Sequence, residues 1–377
     1  MTYLDNGATS FPKLPSVAEA VQCALDNCAN PGRGGYRAAM TAASTVLRCR
    51  ERAGKLFECA PEQVVMTSNC THGLNIAIRS LIKPGSRVVI SGFEHNAVTR
   101  PLHALGARKI VAGRKLFDSA DTLNRFEDAL KKGVNAAVFT HVSNVFGYIL
   151  PVEEMAELCR QYGVPFIVDA AQSAGSLPVS LHKWGADFIS MPGHKGLLGP
   201  QGTGLLLCKN TPKPLLFGGT GSLSKNQEMP DFLPDGAEAG TLNVPGIAGL
   251  SAGLHYLSQE GIGRIFLRER REAQRCAKEL EKLGFNPFCG ENQGGTLSFT
   301  SEFDCEEIAD FLGKHGICVR AGLHCAPLAH ESAGTLETGT VRVSFGHTAC
   351  PRQTGELLLG LKQFLDSREK PGDFVAG

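Results

Sequence analysis

The stretch Pro165-Phe166-Ile167-Val168-Asp169 decides the fold, because it is a short apolar run that ends on a carboxylate. Similar apolar runs lie on both sides of it, at residues 87–91, 136–142, 188–191 and 204–208. Near-continuous apolar runs of this length are typical of strands buried on both faces of a largely parallel sheet. Helical patterns separate the runs, for example Val152–Cys159, with Pro151 placed to open the helix as its first residue. This alternation predicts an α/β architecture with crossover helices.

The pattern changes after about residue 255, and 377 residues are enough for two domains. A charged amphipathic helix is predicted at residues 262–283, followed by strand candidates at 296–299 and 341–344. We therefore expect a large domain at residues 15–254. We expect a smaller α+β domain to combine residues 1–14 with residues 255–377.

Composition and charge exclude several classes of function. The 38 basic and 37 acidic side chains nearly cancel, which gives no bulk attraction to nucleic acid or to an anionic membrane. No apolar run reaches the length of a membrane span, and residues 1–6 lack the pattern of a signal peptide. The thirteen cysteines are odd in number and include no C-x-x-C pair, which favours a reducing compartment. We therefore expect a cytoplasmic protein that binds neither nucleic acid nor membrane.

Asp169 and Lys195 are the first candidate site residues. Asp169 ends a predicted strand, where an open α/β sheet places its ligand crevice, and Lys195 follows the next strand in Pro192-Gly193-His194-Lys195-Gly196. The pair suits a plain ion pair. It also suits pyridoxal phosphate (PLP), whose aldehyde bonds to a lysine amine and whose pyridine nitrogen pairs with an aspartate. The spacing allows one strand-helix-strand step and leaves both interpretations open.

A candidate phosphate site lies at residues 66–73, between a predicted strand and the helical pattern at residues 74–81. Exposed amides and the hydroxyl of Thr71 at a helix start form an anion site. Ser, Thr and Asn are also ordinary helix caps, so the pattern by itself does not distinguish the two.

Three separated motifs together resemble the cysteine desulfurases of the class V aminotransferase family. They are Asp169-Ala170-Ala171-Gln172, Gly193-His194-Lys195 and Arg320-Ala321-Gly322-Leu323-His324-Cys325-Ala326. More narrowly, they resemble the group II branch, which includes selenocysteine lyases and SUF-type desulfurases. The resemblance runs from Tyr3 to Gly346. It implies the PLP-dependent transferase fold type I, with a largely parallel, doubly wound sheet in the large domain and a smaller carboxyl-terminal domain.

The resemblance also implies roles for residues around the cofactor ring. Lys195 would bond to the cofactor aldehyde, and Asp169 would face the pyridine nitrogen. Gln172 would hydrogen-bond the phenolic oxygen. His95, in Glu94-His95-Asn96, would stack on the ring and help to move protons.

The phosphate would be held by Thr71, by His194 and by the amide of Cys70. Thr241 resembles the residue that reaches the phosphate from a second subunit, which implies a homodimer with shared active sites. Cys70 and Pro192 stand where many relatives have hydroxyl residues, so each removes an expected phosphate donor.

The substrate residues implied are Asn144, Arg342, His324 and, from the partner chain, Arg33. Cys325 would attack the sulfur of L-cysteine. The products would be L-alanine and a persulfide on Cys325, whose sulfur passes to an acceptor protein, with iron–sulfur cluster assembly among the destinations. Leu323 replaces a histidine found in many members, which leaves His324 as the imidazole next to Cys325.

Other functions fit parts of this pattern. Selenocysteine lyase and cysteine sulfinate desulfinase use the same scaffold. A serine hydrolase is suggested by the G-x-S-x-G string at residues 249–253, but no strand precedes it and its surroundings predict a helix. The irregular spacing of His324, Cys325 and His330 argues against zinc, so no metal is expected. A non-catalytic sulfur carrier or scaffold would not need Lys195, Asp169 and His95 together.

Overall fold

A seven-stranded sheet forms the centre of the computed structural model, which describes residues 1–32 and 34–369. The strands of this part of the chain are β1 (Thr2–Tyr3), β2 (Val64–Thr67), β3 (Arg87–Ser91), β4 (Arg108–Ala112), β5 (Ala136–Thr140), β6 (Phe166–Asp169), β7 (Phe188–Pro192), β8 (Gly204–Cys208), β9 (Asn286–Phe288), β10 (Thr296–Thr300), β11 (Ile317–Cys318), β12 (Arg320–Gly322) and β13 (Thr340–Ser344). The central sheet has the order β2-β8-β7-β6-β5-β3-β4. Strand β8 runs antiparallel to β2 and β7, and the pairs from β7 to β4 are parallel.

The helices of the described residues either cover the two faces of this sheet or pack in the carboxyl-terminal part. They are α1 (Pro15–Asn27), α2 (Arg37–Phe57), α3 (Cys70–Leu81), α4 (Asn96–Ala104), α5 (Ser119–Lys131), α6 (Val152–Tyr162), α7 (Leu181–Trp184), α8 (Val244–Glu260), α9 (Ile262–Lys282), α10 (Cys305–Lys314), α11 (Pro327–Ala333) and α12 (Pro351–Glu369). Alternate residues of β5 enter two different cores: Ala137 and Phe139 pack into one, and Ala136 and Val138 into the other. Burial on both faces explains the near-continuous apolar strands. The predicted doubly wound, largely parallel sheet is confirmed.

A third core holds the carboxyl-terminal part together. There β12, β13, β10 and β9 form an antiparallel sheet, and β1 pairs with β11. Leu4 packs into this core with apolar residues between Ala273 and Phe364. The first residues of the chain therefore contact the carboxyl-terminal part, and the division into two domains stays a prediction. Helix α8 continues past residue 254 to Glu260, and the exact domain boundary stays a prediction.

Three local details differ from the sequence expectations or refine them. Pro151 is the N-cap of α6 and not its first helical residue. Helix α3 begins at Cys70, four residues before the predicted pattern, because the side chain of Asn69 accepts a hydrogen bond from the His72 amide and caps the helix. The G-x-S-x-G string lies inside α8, where the buried Ser251 accepts hydrogen bonds from Arg52 at 2.9 and 3.0 Å. It therefore lacks the strand-turn-helix geometry of a nucleophile elbow.

Among the described helices, none combines the length and the apolar composition needed to cross a membrane.

Candidate active site

Asp169 is the buried carboxylate at the carboxyl end of β6, with a side chain 2% exposed. Its Oδ1 accepts hydrogen bonds from the amide of Ala171 at 2.9 Å and from the thiol of Cys70 at 3.4 Å. Burial, and then the charge of Asp169, raise the pKa of Cys70 well above its usual value, so the thiol stays protonated and donates. The Cys70 side chain therefore contacts Asp169, and the second carboxylate oxygen is left to pair with a ring nitrogen.

Lys195 lies in the loop after β7, which pairs in parallel with β6. Burial, and next the charge of Arg342, lower the pKa of Lys195, while Asp169 opposes this shift. A lowered pKa favours the neutral amine, the form that attacks an aldehyde. Gln172 lines the same cavity as Lys195 and donates a hydrogen bond to the carbonyl of Gly7 at 3.0 Å.

The amino end of α3 presents the candidate phosphate site. Asn69 caps the amide of His72. This leaves the earlier amides of the first turn, those of Cys70 and Thr71, free to bind an anion. The hydroxyl of the exposed Thr71 is a further donor at the same end of the helix. His194 lies within hydrogen-bond distance of the Thr9 hydroxyl through Nδ1, at 3.1 Å. Burial, and then Lys195, lower the pKa of His194 to about 4, so its ring is neutral at pH 7.

His95 is the N-cap of α4, and its Nδ1 accepts a hydrogen bond from the amide of Ala97 at 2.9 Å. Burial lowers the pKa of His95, so the ring is neutral and carries its proton on Nε2. The preceding Glu94 is fully buried and accepts hydrogen bonds from the amide of Thr140 at 3.0 and 3.1 Å. Glu94 thus ties the His95 turn to the end of β5, a role that our sequence analysis missed.

Arg342, on β13, is 2% exposed and donates to Asp5 Oδ1 at 2.7 Å and to the carbonyl of Asn144 at 3.1 Å. Asp5 also binds Arg320, at 3.1 and 2.8 Å. Two guanidinium groups therefore share one carboxylate, and the cluster keeps one positive charge with which to attract a substrate carboxylate. Asp5 is a second site residue missed from the sequence, since a lone aspartate near residue 1 carries no motif.

Cys325 is exposed in the loop between β12 and α11. His324 and Cys325 both adopt left-handed conformations, with φ of 51° and 56°. Such residues persist where surrounding contacts hold them. Here the amide of Asn96 donates to the Cys325 carbonyl at 2.8 Å, and Asn144 Nδ2 donates to the His324 carbonyl at 2.8 Å.

Two predicted residues do not join this cluster within one chain. The exposed Thr241 lines a separate pocket together with Asn30 and Gly32. Lys195 is not among the described residues that line this pocket. Arg33 lies outside the described residues. The segment before Thr241 is anchored by Glu238, which forms a buried ion pair with Arg50 at 2.7 Å.

In residues 1–32 and 34–369, no group of three or more His, Cys, Asp or Glu side chains is arranged to hold a metal ion. His324 and His330 are neighbours, with ring centroids 5.7 Å apart. All thirteen cysteines are free thiols.

These residues fit PLP. Asp169 supplies a buried carboxylate for the pyridine nitrogen, the amino end of α3 supplies donors for the phosphate, and Lys195 supplies an amine with a lowered pKa for the aldehyde. His95 and Gln172 would contact the ring, and Asn144 joins Arg342 to the loop of Cys325 through its hydrogen bonds to Arg342 and to the His324 carbonyl.

The chain is similar in sequence to proteins named as probable cysteine desulfurases. It is 33% identical over 357 residues to a probable cysteine desulfurase of Methanothermobacter thermautotrophicus, which covers 91% of this chain and 89% of the relative. It is 32% identical to a probable cysteine desulfurase of Pyrococcus abyssi, with 96% and 94% covered.

Solved structures agree with this comparison. The apo structure of a cysteine desulfurase from Thermococcus onnurineus superposes with a TM-score of 0.88 at 30% identity and covers 97% of this chain and 94% of that one. A cysteine desulfurase from Escherichia coli gives a TM-score of 0.83 at 25% identity, with 97% and 95% covered. Residues 2–355 match the family described as Aminotransferase class-V. The chain therefore belongs to the class V aminotransferases, a family of PLP-dependent proteins.

Proposed function

We propose that this protein is a PLP-dependent cysteine desulfurase that converts L-cysteine to L-alanine and takes up the sulfur as a persulfide on Cys325. The names of its relatives support this reaction. The observation that carries the proposal is the placement of Cys325, an exposed thiol on a loop held by two hydrogen bonds. One bond comes from Asn96, which follows His95 in the sequence. The other comes from Asn144, whose carbonyl accepts a hydrogen bond from Arg342.

Substrate binding depends on charge. The cluster of Arg342, Arg320 and Asp5 keeps one positive charge, which attracts the carboxylate of an amino acid and orients its side chain toward Cys325. When bound, PLP supplies an electron sink that stabilises negative charge at the substrate carbons.

Two residues move protons in this scheme. The amine of Lys195, with its lowered pKa, accepts a proton from the substrate α-carbon and returns one to carbon later. His95 holds a proton at Nε2, since its Nδ1 is occupied by the amide of Ala97. Asp169, buried at the end of β6, balances the positive charge of a protonated ring nitrogen.

The sulfur step uses Cys325. Its thiolate attacks the substrate sulfur, a sulfur–sulfur bond forms, and the substrate carbon–sulfur bond breaks. The electron pair of the broken bond stays on the substrate carbon, which takes up a proton and becomes the methyl group of alanine. The enzyme retains the outer sulfur as a persulfide.

The test measures alanine and sulfide from L-cysteine with wild type, Cys325→Ala and the matched control Cys289→Ala, which changes another exposed cysteine. We expect Cys325→Ala to bind PLP with the wild-type visible spectrum and to form no alanine, while Cys289→Ala behaves as wild type. Alanine formation that survives in Cys325→Ala would contradict the persulfide step. Turnover of L-selenocysteine or cysteine sulfinate without turnover of L-cysteine would instead favour the alternative lyases.

We further propose a homodimer with shared active sites. Tyr36, Met40 and Leu47, on and beside α2, leave 52–59% of their surface exposed, as large apolar residues do at subunit interfaces. Thr241 lies apart from Lys195 in its own chain, which supports a contact across the interface. Mixing inactive Lys195→Ala with Thr241→Val subunits should restore activity in hybrid dimers, because one of the two sites then holds both native residues. No restoration from exchanged subunits would contradict shared sites.

The persulfide sulfur is proposed to pass to an acceptor protein in the cytoplasm, with iron–sulfur cluster assembly as a destination. The exposure of Cys325 supports direct transfer to a partner. Transfer of labelled sulfur from L-cysteine to scaffold proteins for cluster assembly tests the destination, and cell fractionation tests the compartment.

A further inference from the structure

His330 is a buried histidine that the proposed reaction does not use. It lies on α11, directly after the Cys325 loop, and is 0% exposed. Its Nδ1 is 2.7 Å from the hydroxyl oxygen of Thr335. The centroid of its ring lies 5.9 Å from the ring centroid of Phe146 and 5.7 Å from that of His324. Within the described part of the chain, its Nε2 has no hydrogen-bond partner.

His324 has a matching unpartnered nitrogen. Its Nε2 is 3.2 Å from both the carbonyl and the hydroxyl oxygen of Thr340. A carbonyl only accepts, so Nε2 carries the proton and Nδ1 is a lone-pair acceptor. This Nδ1 is buried and finds no donor among the described residues. Burial lowers the pKa of His324 to about 2, so protonation does not remove the unpaired acceptor.

The tautomer of His330 makes the two rings complementary. If the Thr335 hydroxyl donates to Nδ1, then Nε2 of His330 carries a proton and is a donor. The centroid of this ring lies 5.7 Å from that of His324, which offers the acceptor. The opposite tautomer would leave one buried acceptor without a donor on each of two neighbouring rings, which is costly. Burial lowers the pKa of His330 to about 4, an effect opposed by backbone groups of Thr335 and Leu323, so the ring is neutral.

We propose that His330 is a positioning residue for Cys325: its Nε2–H donates to one buried water molecule, which donates in turn to Nδ1 of His324, and this bridge holds the left-handed turn at His324 and Cys325. Thr340 and His330 then fix the His324 ring on both edges, while Asn144 fixes its carbonyl. The reason to hold this turn rests on the proposed function, because Cys325 must meet the substrate sulfur.

A matched pair of variants tests the contact. Glutamine places an amide N–H near the position of Nε2, whereas asparagine places one near Nδ1. His330→Gln should therefore support the turn, and His330→Asn should not. Thr335→Val removes only the hydroxyl that sets the tautomer and should act in the same direction as His330→Asn.

The readout is hydrogen exchange in cofactor-free protein, followed at the amides of Ala326 and Asn96. These amides donate to the carbonyls of Leu323 and Cys325, at 2.9 and 2.8 Å. We expect exchange there to be about tenfold faster in His330→Asn and close to wild type in His330→Gln, as for the loss of one buried hydrogen bond. Exchange in β5 should not change. In loaded enzyme, kcat should fall with KM unchanged.

Equal exchange at the turn in wild type and His330→Asn would overturn the proposal. So would acceleration spread evenly over the protein, since that indicates a general packing role. If the histidine variants do not fold, Thr335→Val alone decides, by the same two outcomes. Because exchange needs neither cofactor nor turnover, a wild-type protein inactive on L-cysteine would refute the proposed function and leave this test standing.

Discussion

The amide of Asn96 donates a hydrogen bond to the carbonyl oxygen of Cys325 at 2.8 Å. Asn96 is the first residue of α4, and His95 is its N-cap. The candidate nucleophile is therefore joined to the residue that follows the candidate ring-stacking histidine. One hydrogen bond between α4 and the loop after β12 links the backbone beside these two functional side chains.

Asn96→Pro should lower kcat for alanine formation about tenfold, the effect of one lost hydrogen bond. Proline removes the amide hydrogen that binds Cys325, but it is tolerated at the first position of a helix. His95, with ψ of 155°, already has the extended backbone that a residue before proline requires. Steady-state kinetics together with thermal unfolding would check this prediction.

The matched control is Asn96→Ala, which keeps the amide and loses only the weak side-chain contact of Oδ1 with Thr99 at 3.3 Å. This variant should retain wild-type kinetics. Equal kcat values in the proline and alanine variants would show that the bond to Cys325 does not matter for turnover.

Asp5→Asn should destabilise the protein by about 3 kcal/mol, because it leaves the buried guanidinium of Arg342 without its carboxylate. Denaturant unfolding measures the loss. As a control, Arg352→Ala breaks an exposed pair with Glu356 and should cost less than about 1 kcal/mol. Similar losses in the two variants would mean that Asp5 does not compensate Arg342.

The free energy of unfolding should depend on pH through the titration of Glu269. This buried residue of α9 lines the cavity shared by Lys195 and Gln172, and burial raises the pKa of its carboxyl to about 8. Between pH 4.5 and 8 the native state then holds a proton that the unfolded state has released. This stabilisation is complete below pH 4.5 and is lost as pH rises through 8, by at most about 1.4 kcal/mol per pH unit.

Glu269→Gln removes this titration, so the difference in unfolding free energy between variant and wild type should change with pH between 5 and 8 with the slope given above. Denaturant unfolding at a series of pH values measures it. Glu260→Gln is the control, because Glu260 is more exposed and pairs with Arg268. A pH-independent difference for Glu269→Gln would contradict the raised pKa.

Glu238→Ala should lower stability by about 3 kcal/mol, since the partner Arg50 is only 9% exposed at its side chain and would lose its counter-charge. The same change frees the segment that carries Thr241, so PLP affinity should weaken in the proposed dimer. Calorimetry and PLP titration measure the two effects. Arg114→Ala, which breaks a half-exposed ion pair, should change neither one.

The sheet and the residues at its edge were predictable because their signal is local. Apolar runs of four to five residues are enough to indicate buried parallel strands, and Asp169 and Lys195 stand where such strands end. The resemblance then assigned roles to most of the remaining cluster. The structure places four of these residues at or just after the carboxyl ends of the parallel strands β6, β7, β3 and β5, namely Asp169, Lys195, His95 and Asn144.

The missed residues act through contacts that are distant in sequence. Asp5 meets Arg342 across nearly the whole chain, and Glu94 meets Thr140 from another strand. The thiol of Cys70 contacts Asp169, a pairing that the apolar pattern does not indicate, because the helix begins earlier than that pattern. Hydrophobic periodicity carries no information on such polar pairs.

The contacts of the amino-terminal segment determine when this site is completed during protein synthesis. Asp5 binds Arg342, Gly7 binds Gln172, and Ser10 donates to the carbonyl of His194. Asp5 leaves the ribosome 337 residues ahead of Arg342. The nascent chain therefore cannot close its substrate pocket during most of translation, although the central sheet is complete much sooner. Turnover of substrate accordingly has to follow synthesis, and a ribosome-bound chain should remain unable to process L-cysteine.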